Sequence, residues 1–273
     1  MSFLKKVTTL AATAAVGLSL AACGGGETDD QTIRVATSPG PYSVLFQDGI
    51  DPILTEAGYK IKYTEFTDLR QADVSVQEGS TDLNVDQHTS YMNNFNKETG
   101  ANLAAITPIP TVPAGIYSQR HNDISQVADG HKVGIPADAS NQSRAFLILA
   151  DAGWITLKEG ANPGLLTTKD VEENRYNLDI QPMDSSTIPR ALGDLDWAII
   201  PGAISYSAKV DPALQYFQEN LRPELILQAV VRSEDKDSEW AKAVAEAYRN
   251  PKFHEFLDQE NKNNYWFIPD EIK

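Results

Sequence analysis

A second cysteine is missing from this chain. Cys23 stands alone, so no internal disulfide can form. A body of roughly 240 residues must therefore be held by its apolar core, which is ample at that size. Positive charge is scarce as well: 23 Lys and Arg face 38 Asp and Glu, for a net charge of −15. That balance excludes a phosphate-tracking surface, so no nucleic acid is expected, and it excludes an electrostatic membrane-binding face. Past residue 23 no stretch approaches the roughly twenty consecutive apolar residues of a transmembrane helix. Catalytic signatures are absent too: no Gly-x-Ser-x-Gly elbow, no cysteine nucleophile in the body, no His-Glu-x-x-His and no phosphate-cradling glycine loop. Neither catalysis nor a cofactor is expected.

What is present begins with the placement of Cys23. Lys5 and Lys6 form a positive start, and Val7 to Leu20 are apolar apart from small residues. This segment is too short and too rich in Ala and Thr to span a bilayer, but it suits a secretory signal. Leu20-Ala21-Ala22-Cys23 is a lipobox, which would make Cys23 the lipid-modified first residue of the mature chain. The alternative is an ordinary signal that happens to contain a cysteine. The hydrophilic Gly24-Gly25-Gly26-Glu27-Thr28-Asp29-Asp30 that follows reads as a tether. Residues 1–22 are thus expected to be a signal peptide and residues 23–31 a lipidated linker. The body would sit outside the cytoplasm on the bacterial cell membrane.

Strands and helices then alternate. Thr32 to Thr37 is a short strand ending in the turn Ser38-Pro39-Gly40-Pro41. A helical pattern runs through Tyr42, Leu45, Phe46, Ile50, Ile53 and Leu54 to a stop at Gly58. Lys60 to Phe66 alternates as a strand, an acidic helix spans Leu69 to Gln77, and Thr81 to Val85 is a third strand. After a proline-interrupted crossing from Ile106 to Ile116 the rhythm restarts. Strands are expected at Lys132 to Pro136, Leu178 to Ile180, Trp197 to Ile200 and Leu225 to Arg232. Helices are expected at Arg144 to Ala150, Ser186 to Leu192 and Ser238 to Arg249. The pattern is α/β, with two lobes each built on a mostly parallel sheet and a cleft at the carboxyl ends of the strands. Lobe 1 would take residues 32–109 and 211–273, and lobe 2 residues 110–210.

Two places carry candidate chemistry. Asp138-Ala139-Ser140-Asn141 signals a helix start, and Arg144 lies three residues past Asn141 on the same face. Backbone N–H groups, a carboxamide and a guanidinium together suit a carboxylate. The competing reading is an Arg that reaches solvent or pairs with Asp138. The second place is Asn84 to Tyr91, at a strand end, where alternation puts Asp86 and His88 on one side. They are an ordinary surface strand end, the commonest fate for such residues, or ligand-facing groups, with His88 and Tyr91 donating hydrogen bonds, or two metal ligands. His121, His131 and His254 lie far apart without ligand spacing, so no metal is expected.

At these residues the chain resembles the NlpA/MetQ family of lipid-anchored substrate-binding proteins, from about Thr32 to the C-terminal helix. Gln87-His88-x-x-Tyr91, Tyr117-Ser118, Asn141-x-x-Arg144 and Pro189-Arg190-Ala191-Leu192 match family motifs in order, although Ile116 stands where the family has Gly. The resemblance implies a type II periplasmic-binding fold that captures an amino acid, D- or L-methionine, and delivers it to an ABC permease–ATPase complex as a monomer. It implies that Arg144 takes the ligand carboxylate, and that His88 and Tyr91 approach the ligand. Four positions depart from the family. Asp86 and Leu69 stand where aromatics wall the methionine side chain, and Pro201 or Gly202 and Leu227 stand where the family has Asn. Asp86 would then lie near a ligand donor. Another amino acid, a short peptide or a small carboxylate remains the alternative cargo, with an enzyme on the same fold or a purely surface role behind it.

Overall fold

Continuous apolar runs become central strands, and alternating ones become edges. The computed structural model describes residues 31–261 and 265–273. The signal segment, Cys23 and the tether up to Asp30 lie outside the described residues. In chain order the strands are β1 (Thr32–Thr37), β2 (Lys60–Glu65), β3 (Leu83–His88), β4 (Leu103–Pro108), β5 (Gly115–Tyr117) and β6 (Lys132–Pro136). They continue as β7 (Ile155–Leu157), β8 (Val171–Asn174), β9 (Asp179–Met183), β10 (Trp197–Ile200), β11 (Gln215–Gln218) and β12 (Leu227–Arg232). The helices are α1 (Pro41–Leu45), α2 (Asp51–Glu56), α3 (Leu69–Gln77), α4 (Thr89–Thr99), α5 (Ala139–Asp151), α6 (Ile188–Ala191), α7 (Gly202–Ser207), α8 (Glu239–Ala247) and α9 (Pro251–Glu260).

Two five-stranded sheets result, in the orders β2-β1-β3-β12-β4 and β11-β5-β10-β6-β9. β10, buried at all four positions, is central, whereas β2, with its exposed lysines, is an edge. Helices cover both faces of each sheet. In the first, Phe46, Ile50, Tyr248 and Phe253 pack on one face and Val76, Met92 and Phe95 on the other. In the second, Phe146, Leu149 and Trp197 form the larger core and Ile188, Leu192 and Leu195 the smaller.

Two differences from the sequence expectation have physical causes. The return to the first sheet comes later than residue 211, because β11 pairs with β5 and its Tyr216 and Phe217 pack on the second core. The chain crosses back only between Gln218 and Leu227. The helix expected from Tyr42 to Leu54 is continuous but widens into a π turn over Phe46–Ile50. Pro52 has no N–H for the α ladder, and Asp51 N–H reaches back to Phe46 O. The tail holding Trp266 and Phe267 pins the first crossing, with Thr111 and Phe267 exchanging two backbone bonds of 2.9 and 2.8 Å.

Candidate ligand-binding cleft

The turns that follow β1, β2 and β3 and those that follow β6, β9 and β10 converge on one cavity of about 950 Å³. All are carboxyl ends of parallel strands, where such folds bind ligands. Arg144, Asn141, His88, Tyr91, Asp86, Leu69 and Gly202, the seven residues singled out from sequence, all line it.

The second-lobe side is built on α5. Asp138 caps it, accepting from the N–H of Asn141 at 2.9 Å and from the Asn141 side-chain amide at 3.1 Å. Asn141 is therefore tied to its own cap. Arg144 neither reaches solvent nor pairs with Asp138. It is buried against Glu219, donating from Nε to Oε2 at 2.9 Å and from Nη2 to Oε1. Glu219 Oε1 also accepts from Ala114 N–H at 2.6 Å, and Glu219 N–H returns a bond to Ala114 O at 3.0 Å. One carboxylate thus joins both crossings to the cleft arginine. Burial works against the charge on Arg144, and the attraction of Glu219 outweighs it, so the guanidinium stays protonated beyond its usual range. Sequence reading missed Glu219, which lies 75 residues from Arg144.

On the first-lobe side His88 caps α4. Its Nδ1 accepts the N–H of Tyr91 at 3.1 Å, which leaves the ring proton on Nε2, a buried atom without a hydrogen-bond partner among the described residues. Burial, then the nearby Arg144 charge, push the His88 pKa down to about 3, with Asn141 acting in the opposite direction. His88 is a neutral donor at physiological pH, and with Nδ1 already engaged it makes no metal pair with Asp86. Asp86 is half-buried and accepts from Ser38 N–H at 2.8 Å, Ser38 Oγ at 3.0 Å and Ser43 Oγ at 2.9 Å. Neither serine was visible as a site residue; the turn after β1 was legible only as a turn. Behind the wall the Tyr42 hydroxyl meets Val112 of the first crossing, and its ring stands edge-on to Trp266 at 5.8 Å.

Beneath β3, fully buried Asp73 accepts from the Gln87 amide, and its Oδ2 has no partner among the described residues. Burial pushes its pKa well above the usual carboxylate range, with Gln87 acting against that. A raised carboxyl pKa takes stability away as pH climbs from the unfolded value of about 3.9 towards the folded one. Asp73→Asn keeps the shape and removes that loss. The variant should unfold like the parent near pH 3 and be more stable by about 1 kcal/mol at pH 7, read as thermal melts across pH.

The histidines apart in sequence do meet. His121, His131 and Asp196 bring ligand atoms within 4.8 Å of one another. The geometry is that of an aromatic stack. His121 lies parallel to His131 at 4.7 Å and to Trp197 at 4.8 Å, so the two imidazole planes do not converge on one point. Trp197 donates to His131 Nδ1 at 3.1 Å, which puts the His131 proton on Nε2 and takes both nitrogens from a metal.

With this geometry in place, comparison with known proteins is decisive. The model of the NlpA lipoprotein family matches residues 33–268. The chain belongs to that family. Among NlpA relatives, the D-methionine-binding lipoprotein MetQ of Escherichia coli (strain K12) is 29% identical over 256 residues, 92% of this chain and 94% of that one. The membrane lipoprotein TpN32 of Treponema pallidum is 28% identical over 68% of this chain and 69% of its own. A nutrient-binding protein of Burkholderia cenocepacia solved bound to methionine superposes with a TM-score of 0.79 at 29% identity, covering 86% of this chain and 99% of that one. The two-sheet α/β architecture is the periplasmic-binding architecture of these NlpA relatives. Among the described residues no helix is long and apolar enough to cross a membrane.

Proposed function

We propose that this chain is the substrate-binding lipoprotein of an ABC importer. It captures an amino acid, methionine by kinship, in the cleft between its sheets and hands it to a permease–ATPase complex. The lipid on Cys23 keeps it at the membrane. The observation that carries this reading is the convergence of all seven sequence-selected residues on one cavity in a chain of the NlpA family. Arg144, held by Glu219 through Nε and Nη2, keeps Nη1 for a carboxylate, and His88 Nε2–H adds a second donor. Closure of the lobes would desolvate these bonds and strengthen them. No chemistry is assigned to the cleft: His88, with Nδ1 engaged and Nε2 protonated, is not set as a base.

Calorimetry of the purified chain against the proteinogenic L-amino acids and D-methionine tests this reading. One-to-one binding of at least one of them is expected, and no binding by any would overturn it. A cavity of about 950 Å³ is at the large end for small ligands and leaves room for a dipeptide. Methionine-containing dipeptides therefore belong in the panel. The anchor is tested by Cys23→Ala, which should move the chain from the membrane fraction to the soluble one.

A further inference from the structure

Among the described residues none of the carboxylates that line the cavity makes an ion pair, and one of them is held from outside its own turn. Among the described residues, Asp68, Asp138 and Asp184 are each engaged as caps at their own turns, and Glu219 is paired with Arg144. Asp86 is the one held from outside its own turn. Among the described residues no Lys, Arg or His makes an ion pair with it; its donors are neutral. Oδ2 takes Ser38 N–H, Ser38 Oγ and Ser43 Oγ, while Oδ1 has a 3.0 Å share in the Ser43 hydroxyl. A hydroxyl has one proton, so the two hydroxyls and the backbone N–H groups of Ser38 and Ser43 hold the carboxylate, and all four donors are neutral. The result is a half-buried anion that lines the cleft and meets no Lys, Arg or His in an ion pair among the described residues. A neutral clamp of this kind fixes a carboxylate and keeps it ionised without cancelling its charge.

The position matters as much as the charge. Asp86 and His88 are two residues apart on β3, which places them on the same face, roughly 7 Å apart along the strand. His88 presents an N–H without a partner among the described residues. One end of the site therefore gives a proton and the other accepts one, at the spacing of the two ends of a zwitterion with a hydrogen bond at each.

We propose that Asp86, held by Ser38 and Ser43, is the acceptor for a protonated amine of the bound ligand. The cleft then selects a free ammonium over the same molecule acylated or deaminated at nitrogen. This rests on the reading of the chain as an amino-acid receptor and adds the residue that enforces it.

Burial pushes the Asp86 pKa up to about 6, against the Ser38 and Ser43 bonds. Tyr42, Asp73 and Tyr248 are the other titratable groups placed to feel its charge, and His88 is neutral on the same strand. An ammonium ligand needs the ionised carboxylate, so affinity should fall as pH drops through about 6.

The test is calorimetry with the tightest-binding amino acid of the panel, its N-acetyl form and its 2-hydroxy-acid analogue. The parent chain should prefer the free amine at least 100-fold. Asp86→Asn should bind the amino acid at least tenfold more weakly and the hydroxy acid within about twofold of the parent, with no loss of affinity between pH 7 and pH 5. Ser43→Ala, which keeps the carboxylate but removes a donor, should move the fall to higher pH. Equal affinity for free and N-acetylated ligand, or unchanged affinity in a folded Asp86→Asn, overturns the proposal while leaving an amino-acid receptor intact. Failure of every amino acid to bind overturns the receptor reading and this assignment with it.

Discussion

Glu219→Ala should cost the fold about 3–5 kcal/mol, the range for removing one partner of a buried ion pair. Both side chains are almost fully buried, at 4% exposure for Arg144 and 2% for Glu219. Truncation would strand a guanidinium in the interior and leave Ala114 N–H without its 2.6 Å acceptor. For a domain of this size the melting temperature should drop on the order of 10 °C. The control is a double variant, Arg144→Met with Glu219→Leu. Replacing both charges with apolar groups removes the stranded ion, so most of the stability should return. Ligand binding should not return with it, because the carboxylate anchor has gone. A Glu219→Ala chain that melts within a degree or two of the parent would show that the pair does not hold the crossings together.

Gly202→Val is the second large effect. An added Cβ at this position would stand 2.4 Å from Val112 O and 2.6 Å from the Val112 side chain. The carbonyl belongs to the crossing backbone and cannot swing aside, so α7 must back away from it. About 3 kcal/mol is the expected cost, at the upper end for overpacking. Gly40, which lines the same cavity, supplies the comparison. Its nearest neighbour to an added Cβ is Ala203 Cβ at 3.6 Å, an ordinary contact. Gly40→Ala should change stability by no more than about 0.5 kcal/mol. Denaturant midpoints for the two variants would separate close packing from cavity lining. The same stability loss in both would make α7 less tightly fitted than the geometry requires.

These two residues also mark how far the sequence could be read. Asp86, His88, Asn141 and Arg144 were legible because each stands at the end of a strand or the start of a helix, and local patterning places those ends. Glu219 was not, since nothing near residue 219 says that the chain will lay it against residue 144. The strand just before it, Gln215–Gln218, is four residues with no clear alternation, and only pairing with β5 assigns it to the second sheet. Ser38 and Ser43 were hidden for another reason. Ser38 reads as turn chemistry and Ser43 as one position in a helix, and their role as a clamp appears only once β3 lies beside β1. Strand and helix alternation placed the cleft at the strand ends, and the resemblance to the NlpA family supplied the ligand-binding roles of the residues in it. It did not anticipate the Asp86 clamp, which belongs to a position where this chain departs from the family pattern.

The edge-on contact of Tyr42 with Trp266 has a use of its own. Tyr42 lines the cavity and Trp266 stands directly behind it, 8% exposed. Two of the other three tryptophans, Trp154 and Trp197, sit in the second core, where Trp197 is stacked on His121. A molecule that presses on Tyr42 changes the surroundings of an indole one ring away. The cleft therefore carries a built-in emitter, and its occupancy can be followed by fluorescence in the unlabelled chain.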